Sequence, residues 1–264
     1  MSTTDAWAGT APGTGSPGIR PLIALMNLWA YPLMALWTLF WILVFPVFFL
    51  FCRVVLRLDA ERCTRLYIWL YGRGWLALML PFVRFRRRGF SGGAFAPPAV
   101  IVVNHLSFFD TFFMGTFPRY NMAFAVRSWP FRIPWYGAFM RLAGYLDVER
   151  MNFDESLAAA RRVFERGGFV VFFPEGHRSR TGRLQRFHSG AFKIAHDAGV
   201  PVIPLVIRGT GTLLGPGRAW LRPAKVSLHA LPTFDPAAFP GPAGHLDLRL
   251  AVKAAIAKEL DAQA

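Results

Sequence analysis

The apolar positions of this chain fall into two regions that differ in periodicity. Residues 21–52 contain no Asp, Glu, Lys or Arg and include three tryptophans among leucines and phenylalanines. That run is longer than the roughly 20 residues with which a helix crosses a bilayer, so we expect a membrane helix that tilts, kinks at Pro32 or Pro46, or bends back. A second apolar run covers residues 66–83 and contains one arginine. Together the two runs predict a pair of membrane-associated helices.

Clusters of arginine on both sides of the second run restrict how the two helices meet a membrane. If both runs crossed the bilayer, the clusters would lie on opposite sides, against the preference for positive charge on the cytoplasmic side. Two arrangements remain: one crossing followed by an interfacial helix, or two helices that dip into one leaflet. The clusters are Arg53, Arg57, Arg62 and Arg65 before the run, and Arg84, Arg86, Arg87 and Arg88 after it.

The remainder of the chain alternates short β-branched or aromatic runs with amphipathic stretches, which is the pattern of an α/β domain. We expect a mixed, largely parallel sheet flanked by helices, with the N-terminal membrane-associated helical hairpin attached to it. The predicted strands are residues 99–103, 122–126, 145–148, 169–173, 202–207 and 225–231, and the predicted helices are residues 154–166, 190–198 and 245–260.

Composition divides the chain into three parts. Residues 1–18 are rich in Gly, Pro, Ser and Thr and show no apolar periodicity, so we predict a disordered tail without a signal peptide. Residues 19–84 form the predicted membrane-binding two-helix region. Residues 85–264 form the predicted α/β domain.

The chain is both basic and apolar, which narrows the class of partner. Thirty Lys and Arg against 15 Asp and Glu give a net charge of +15, and 54% of the residues are hydrophobic. Nucleic-acid-binding proteins share the first property but rarely the second, so an anionic lipid surface fits this chain better than nucleic acid. The two cysteines, Cys52 and Cys63, have no metal-ligand spacing around them, and we predict no metal site.

Candidate chemistry begins where the predicted strand 99–103 ends. His105 follows this strand, and Asp110 comes five residues later. Ligands of α/β sheets bind outside the carboxyl ends of the strands, and a carboxylate beside a histidine makes a general base. On a regular helix these two residues would point about 140° apart, so His105 must precede the helix in a loop. Asn104 and Ser107 are candidate N-cap residues for that helix.

A second polar segment follows the predicted strand 169–173. It reads F-P-E-G-H-R-S-R and includes Glu175 and Arg178. Together with the N-H-x-x-x-x-D element at residues 104–110, it resembles the glycerolipid acyltransferase family, and specifically its lysophosphatidic acid acyltransferase branch. Residues 144–150 and 200–205 are similar to two further blocks of that family. His177 stands where the family more often has threonine, which leaves the exact substrate open.

The resemblance implies transfer of an acyl group from a thioester to the free hydroxyl of 1-acyl-sn-glycerol-3-phosphate, giving phosphatidic acid. Acyl-CoA or an acyl carrier protein would be the co-substrate, with no other cofactor. The family also favours two helices that dip into one leaflet, here at the cytoplasmic face of a bacterial inner membrane.

Each motif residue has a task in that reaction. His105 would deprotonate the hydroxyl, and Asp110 would orient the imidazole. Glu175 suits a substrate hydroxyl, and a guanidinium suits the phosphate. A direct transfer is favoured over an acyl-enzyme on Ser107, because the G-x-S-x-G elbow of serine hydrolases is missing. The candidate phosphate ligands are Arg178 and Arg150, and the candidate oxyanion donors are Arg127 and backbone N–H groups near Gly176.

Several alternatives stay open at this level. Glu175 and Arg178 would pair with each other if the loop were merely solvated. The acceptor would be another lysolipid, such as lysophosphatidylglycerol or a lyso amino-acid lipid, if the phosphate site differed. A third hypothesis is a membrane-surface protein without enzymatic activity.

Overall fold

The computed structural model describes residues 19–90 and 95–262, so the predicted tail of residues 1–18 lies outside the described residues. Within these ranges the chain forms a seven-stranded sheet with helices on both faces. The strands are β1 Val83–Arg88, β2 Ala99–Val103, β3 Met122–Val126, β4 Leu146–Asp147, β5 Phe169–Phe172, β6 Val202–Arg208 and β7 Ala224–Ala230. The helices are α1 Ile19–Val54, α2 Ala60–Met79, α3 Asp110–Phe113, α4 Pro134–Leu142, α5 Phe153–Glu165, α6 Gly190–Ala198, α7 Thr210–Leu214 and α8 Gly244–Ala262.

The sheet is mixed and largely parallel, as the pattern predicts. The strand order is β1-β7-β6-β2-β5-β3-β4. Strands β2 to β6 run parallel to one another, β7 is antiparallel to β6, and β1 is parallel to β7. The carboxyl ends of five strands therefore meet at one edge of the sheet, where the loops that carry the polar motifs emerge.

Strand β1 is not among the predicted strands. Four of its six residues are arginines, which hide the alternation that identifies a strand. Val83 and Phe85 nevertheless point to the core side, where Val83 is 3% exposed and the ring of Phe85 stacks on Phe113. The sheet thus takes in Val83, two residues before the predicted start of the α/β domain at residue 85.

The two faces of the sheet are covered by different helices. The face that carries Ile101 and Val103 of β2 packs against α2, α3 and the first part of α1, and we call it the α2 face. The opposite face carries Val100 and Val102 and packs against α5, α6 and α8, and we call it the α8 face. All five residues of β2 are buried, so this strand forms the centre of the core.

Helix α1 continues through both prolines that the sequence marks as kink positions. Among the described helices, α1 has the length and hydropathy that a membrane span requires, over Pro21–Val54. Its large side chains remain exposed, for example Leu28 at 75%, Leu43 at 69% and Val47 at 72%. An apolar surface of this kind on a long helix indicates association with a membrane.

Helix α2 joins the N-terminal region to the α/β domain. It starts before the predicted apolar run, because the side chain of Asp59 caps its first turn through the N–H of Arg62. Its Arg65 is 1% exposed and donates to the carbonyl of Ala143 at 2.8 Å and to Asn121 Oδ1 at 3.0 Å. Aromatic contacts with α1, such as Trp41 on Tyr67 at 4.6 Å between ring centroids, complete the hairpin.

Candidate active site

The loop after β2 places a histidine against a buried carboxylate. His105 follows β2 by two residues, and Asp110 is the first residue of α3. The Nδ1 atom of His105 lies 2.7 Å from Asp110 Oδ2. The same oxygen accepts hydrogen bonds from the N–H groups of Leu106 at 2.7 Å and Ser107 at 2.8 Å. The five-residue spacing therefore closes a turn around Asp110, with His105 in the loop before the helix.

These contacts determine which nitrogen of His105 faces the solvent. Because Oδ2 of Asp110 acts as an acceptor for two backbone N–H groups, Nδ1 carries the proton and donates to it. Within the described residues Nε2 has no hydrogen-bond partner, and the side chain is 18% exposed. The ring stacks on Phe173 with 4.4 Å between centroids. Nε2 is thus oriented as a base.

The prediction that Asn104 and Ser107 cap the helix is wrong. The N-cap residue of α3 is Phe109, which makes no side-chain capping bond. The amide of Asn104 instead pairs with the backbone of Ile207 on β6 through two hydrogen bonds of 2.9 and 2.8 Å. The hydroxyl of Ser107 donates to the carbonyl of Leu214 at 2.7 Å. Both side chains attach the loop that carries His105 to the strand and helix beside it.

Glu175 lies behind the histidine rather than in front of it. Its carboxylate is engaged on both sides, because Oε1 accepts from the N–H of His105 at 2.7 Å and Oε2 accepts from the N–H of Gln185 at 2.9 Å. The residue is 3% exposed, and this burial raises its pKa above that of an ordinary glutamate, although the two N–H donors oppose the shift. Both oxygens of Glu175 are therefore bonded to the backbone of two loops, and neither is placed for the predicted contact with a substrate hydroxyl.

A cleft of about 950 Å³ opens in front of His105 at the carboxyl edge of the sheet. Of the predicted site residues, His105, Arg127, Gly176 and Arg178 line it, whereas Arg150 does not. Arg178 and Arg180 are exposed, and among the residues that the structure describes neither forms an ion pair, so the alternative Glu175–Arg178 pair is not formed. The rim of the cleft is positively charged.

Arg127 is held more firmly than the other arginines of the rim. Its Nε donates to Glu149 Oε1 at 2.6 Å, and its Nη1 lies 3.2 Å from His177 Nδ1. The N–H of Ser128, and then Arg127, lower the pKa of Glu149 below its usual range. Part of the charge of Arg127 is therefore already neutralised before a ligand binds.

A smaller apolar pocket of about 70 Å³ adjoins the cleft and reaches toward α2. Thr111, Val126 and Tyr136 line both cavities. The sequence motifs do not identify these residues, because they lie on three separate elements and share no pattern. Their arrangement is visible only when α3, β3 and α4 are packed together.

Gly176 occupies a position that few other residues adopt. Its φ is +70°, and a Cβ atom there would lie 3.2 Å from the ring of His188. Its N–H donates to the carbonyl of Phe173 at 3.0 Å. That donor is consequently not free to bind an oxyanion.

Within residues 19–90 and 95–262, no group of three or more His, Cys, Asp or Glu side chains is placed to hold a metal ion. The candidate chemistry of the cleft rests on the imidazole of His105, the carboxylate of Asp110 and the arginines of the rim.

The chain is similar in sequence to 1-acyl-sn-glycerol-3-phosphate acyltransferases. It is 37% identical over 123 residues to the chloroplastic form named BAT2 from Brassica napus, covering 46% of this chain and 36% of the relative. It is also 37% identical over 123 residues to the chloroplastic LPAT1 from Arabidopsis thaliana, covering 46% of this chain and 34% of that protein. These matches thus span only about a third of each relative's length.

A solved structure shares the fold over most of both chains. The crystal structure of the 1-acyl-sn-glycerophosphate (LPA) acyltransferase PlsC from Thermotoga maritima superposes with a TM-score of 0.68 and 25% identity, and covers 91% of this chain and 97% of that one. The model of the family described as Acyltransferase matches residues 76–208, which is half of the chain and includes β1 to β6 with the whole histidine loop. The chain belongs to the acyltransferase family.

Proposed function

We propose that the protein is a membrane-bound acyltransferase that moves a fatty acyl group from an acyl thioester to the free hydroxyl of 1-acyl-sn-glycerol-3-phosphate, giving phosphatidic acid. The observation that carries the proposal is the His105–Asp110 pair, whose open Nε2 atom faces a large cleft with unpaired arginines at its rim. The names of the similar proteins support the same acceptor.

The proposed mechanism is a single displacement with His105 as general base. Nε2 takes the proton of the acceptor hydroxyl while the oxygen attacks the thioester carbonyl and forms the new C–O bond. Asp110 stabilises the imidazolium that results. The tetrahedral intermediate then expels the thiolate as the C–S bond breaks, and the imidazolium returns its proton to the sulfur. Ser107 takes no part, since its hydroxyl is bonded to Leu214.

We assign the phosphate of the acceptor to the unpaired arginines of the rim. Arg178 lines the cleft with a free planar fork of donors, which matches a phosphate dianion. Arg127 would contribute more weakly to the phosphate or the oxyanion, because Glu149 shares its charge. Arg150 lies outside the cleft lining, and in our proposal it adds to the electrostatic field without contacting the phosphate. Glu175 and Gly176 shape the loop that presents Arg178.

We further propose that α1 and α2 anchor the protein in one leaflet at the cytoplasmic face of a bacterial inner membrane. The support is the exposed apolar surface of α1 together with the attachment of α2 to the α/β domain through Arg65. A lipid acceptor with its chain in that leaflet would then meet the cleft without leaving the membrane.

The test is a transfer assay with the purified full chain in detergent. Several lysolipids are offered with either acyl-CoA or a loaded acyl carrier protein, and the product is identified by mass. We expect phosphatidic acid from 1-acyl-sn-glycerol-3-phosphate, and we expect His105→Ala to lower kcat by about 10²- to 10⁴-fold.

The matched control is His245→Ala, which removes a half-buried histidine outside the cleft lining and should leave the rate unchanged. If product formed from a different lysolipid instead, that lysolipid would be the acceptor. Unchanged turnover in His105→Ala, or no product from any lysolipid, contradicts the proposal.

A further inference from the structure

Four cations form an uncovered row on the last two strands of the sheet. Arg84, Arg86 and Arg88 of β1 and Lys225 of β7 are all exposed, and we call them the basic ladder. Arg84 pairs in register with Lys225, so their side chains lie on the same face. Successive ladder residues on β1 are about 7 Å apart, and the two strands are about 5 Å apart. Within the described parts of the chain, none of the four cations forms an ion pair or a side-chain hydrogen bond.

The basic ladder lies on the α8 face, opposite the membrane helices. Residues 224, 226, 228 and 230 of β7 are buried on the α2 face, so Lys225 points the other way. Helix α8 covers β6 and reaches β7 through Glu259, which accepts a hydrogen bond from His229 at 2.8 Å. Helix α7 also contacts β7, but its Leu213 packs into the core on the α2 face, so α7 does not cover the ladder. The ladder is thus a flat basic surface that is open to solvent.

Edge protection does not account for this arrangement. Charged side chains on an edge strand prevent other chains from extending the sheet, and β1 is such a strand. Lys225, however, belongs to β7, which already has a neighbour on each side. Like charges directly opposite each other destabilise a sheet, so the Arg84–Lys225 pair works against folding stability. An anionic partner would relieve this repulsion.

The position of the ladder favours a soluble partner over the lipid surface. Most of the exposed large apolar side chains belong to α1, which packs with α2 on the other face of the sheet. A membrane that takes up α1 is therefore separated from the ladder by the whole thickness of the sheet. A soluble acidic protein has free access to it.

We infer that the basic ladder is the docking surface for the acidic carrier protein that delivers the acyl thioester, which rests on the proposed function. Arg84 and Lys225 lie at the edge of the sheet where β6 ends, because β7 is antiparallel to β6. From β1 to β2, which leads into His105, there are three strand spacings, or about 15 Å. A carrier that holds its thioester on a long flexible prosthetic arm reaches the cleft from this position.

The experiment compares two donors on one charge-reversed protein. The triple variant Arg84→Glu, Arg86→Glu, Arg88→Glu is assayed in the full-length protein with a palmitoyl-loaded bacterial acyl carrier protein and with palmitoyl-CoA. We expect KM for the carrier-bound donor to rise about tenfold or more, and kcat/KM for palmitoyl-CoA to change by less than about twofold. The second donor also reports whether the variant folds. Lys225→Glu alone should show a smaller effect in the same direction.

Arg119→Glu with Arg162→Glu serves as the control, since both arginines are exposed away from the ladder and neither forms an ion pair with another described residue. If the triple variant loses activity equally with both donors, the docking surface is overturned, whether or not binding to phosphatidylglycerol vesicles is also lost. It is likewise overturned if the activity with neither donor changes. Direct binding of the carrier protein is measured in parallel. If the wild type binds the carrier and the triple variant does not, while neither donor is turned over, the docking surface stands and the proposed function fails.

Discussion

At the scale of single residues, one oxygen atom organises the loop that carries His105. Oδ2 of Asp110 receives three hydrogen bonds, one from the imidazole and two from the backbone that leads into α3. The other oxygen, Oδ1, is buried and has no partner within the described residues. The carboxylate therefore sets the shape of the loop and the tautomer of His105 at the same time.

The single accepting oxygen predicts the effect of Asp110→Asn. An amide oxygen in the place of Oδ2 can accept the same three hydrogen bonds, and the NH₂ group then takes the place of the unpartnered Oδ1, so the loop keeps its shape. The negative charge that stabilises the imidazolium is lost, and we therefore expect kcat to fall by about 10³- to 10⁴-fold. Steady-state kinetics measure the loss, and a thermal melt checks that the variant is folded. A fall of less than about tenfold would show that the charge of Asp110 does not support the base.

Glu175 predicts a dependence of stability on pH. Burial raises its pKa in the folded protein, so the folded chain binds the proton more tightly than the unfolded chain. Between the unfolded value of about 4.3 and the raised value, the free energy of unfolding must then fall as pH rises. Glu175→Gln carries no charge at any pH, so the variant should gain stability relative to the wild type across this window.

Urea unfolding of both proteins at a series of pH values measures this difference. If the free energy of unfolding of the wild type instead increased relative to that of Glu175→Gln as pH rose, the N–H donors of His105 and Gln185 would outweigh burial. The charged carboxylate would then be the favoured state.

The motif spacing located His105 and Asp110 correctly, since a strand end followed by a histidine and a carboxylate leaves few arrangements. It did not reveal that Glu175 points backward. A loop glutamate looks the same in the sequence whether it meets a substrate or two buried N–H groups, because burial depends on neighbours that are distant along the chain. The roles of Asn104 and Ser107 were missed for the same reason, as their partners lie on β6 and α7.

At the scale of elements, the segment between α7 and β7 connects α1 to the cleft in front of His105. The side chain of Asn27 on α1 is 3% exposed and forms two hydrogen bonds of 2.9 and 2.8 Å with the backbone of Leu221. At the other end of this segment, Leu214 accepts the hydroxyl of Ser107. Pro216 and Gly217 between them line the cleft. One wall of the cleft is therefore fastened both to α1 and to the histidine loop.

Asn27→Leu tests this connection. The substitution leaves the N–H and carbonyl of Leu221 unpaired, which should lower the free energy of unfolding by about 1–3 kcal/mol. Because the cleft wall shifts, we expect KM to rise while binding to vesicles is kept. Thr38→Val is the control, since it removes a hydrogen bond between α1 and α2 that does not involve the cleft. Equal effects of the two substitutions on KM would contradict a specific role for Asn27.

Apolar alternation placed the six predicted strands to within two residues of their observed ends, because the core leaves their register little freedom. Strand β1 escaped detection because its outer face is basic and only two of its residues touch the core side. Helix α2 was recognised as apolar, but its attachment through the buried Arg65 was not. In the sequence, Arg65 marks only the beginning of an apolar run. Its burial follows from the packing, because the carbonyl of Ala143 and the amide oxygen of Asn121 accept hydrogen bonds from its guanidinium.

At the scale of the whole molecule, our proposals assign three surfaces to three different partners. The apolar side of α1 suits lipid, the cleft at the carboxyl edge suits the two substrates, and the basic ladder suits a soluble protein. Their separation by the sheet allows all three to be occupied at once.

The proposed lipid-facing role of α1 can be tested by matched charge substitutions. Leu43→Glu and Val47→Glu replace side chains that are 69% and 72% exposed on α1. Each should weaken binding to vesicles by about 2–3 kcal/mol, since an apolar side chain no longer transfers from water to lipid. Leu250→Glu on α8 changes a leucine of similar exposure, 57%, and should leave binding unchanged. Vesicle flotation measures the binding of all three variants. If the two α1 variants bound vesicles as tightly as the wild type, α1 would be excluded as the lipid-binding surface.

The pairing of β1 with β7 has a consequence for biosynthesis. Val83 lies opposite Ala224, so the two strands are separated by 224 − 83 = 141 residues of chain. On a translating ribosome, α1 emerges long before β7, and until then β1 has no neighbouring strand, because β7 is its partner in the sheet. If α1 is the membrane anchor that we propose, the nascent protein is anchored first, and its sheet is completed afterwards at the membrane when β7 pairs with β1.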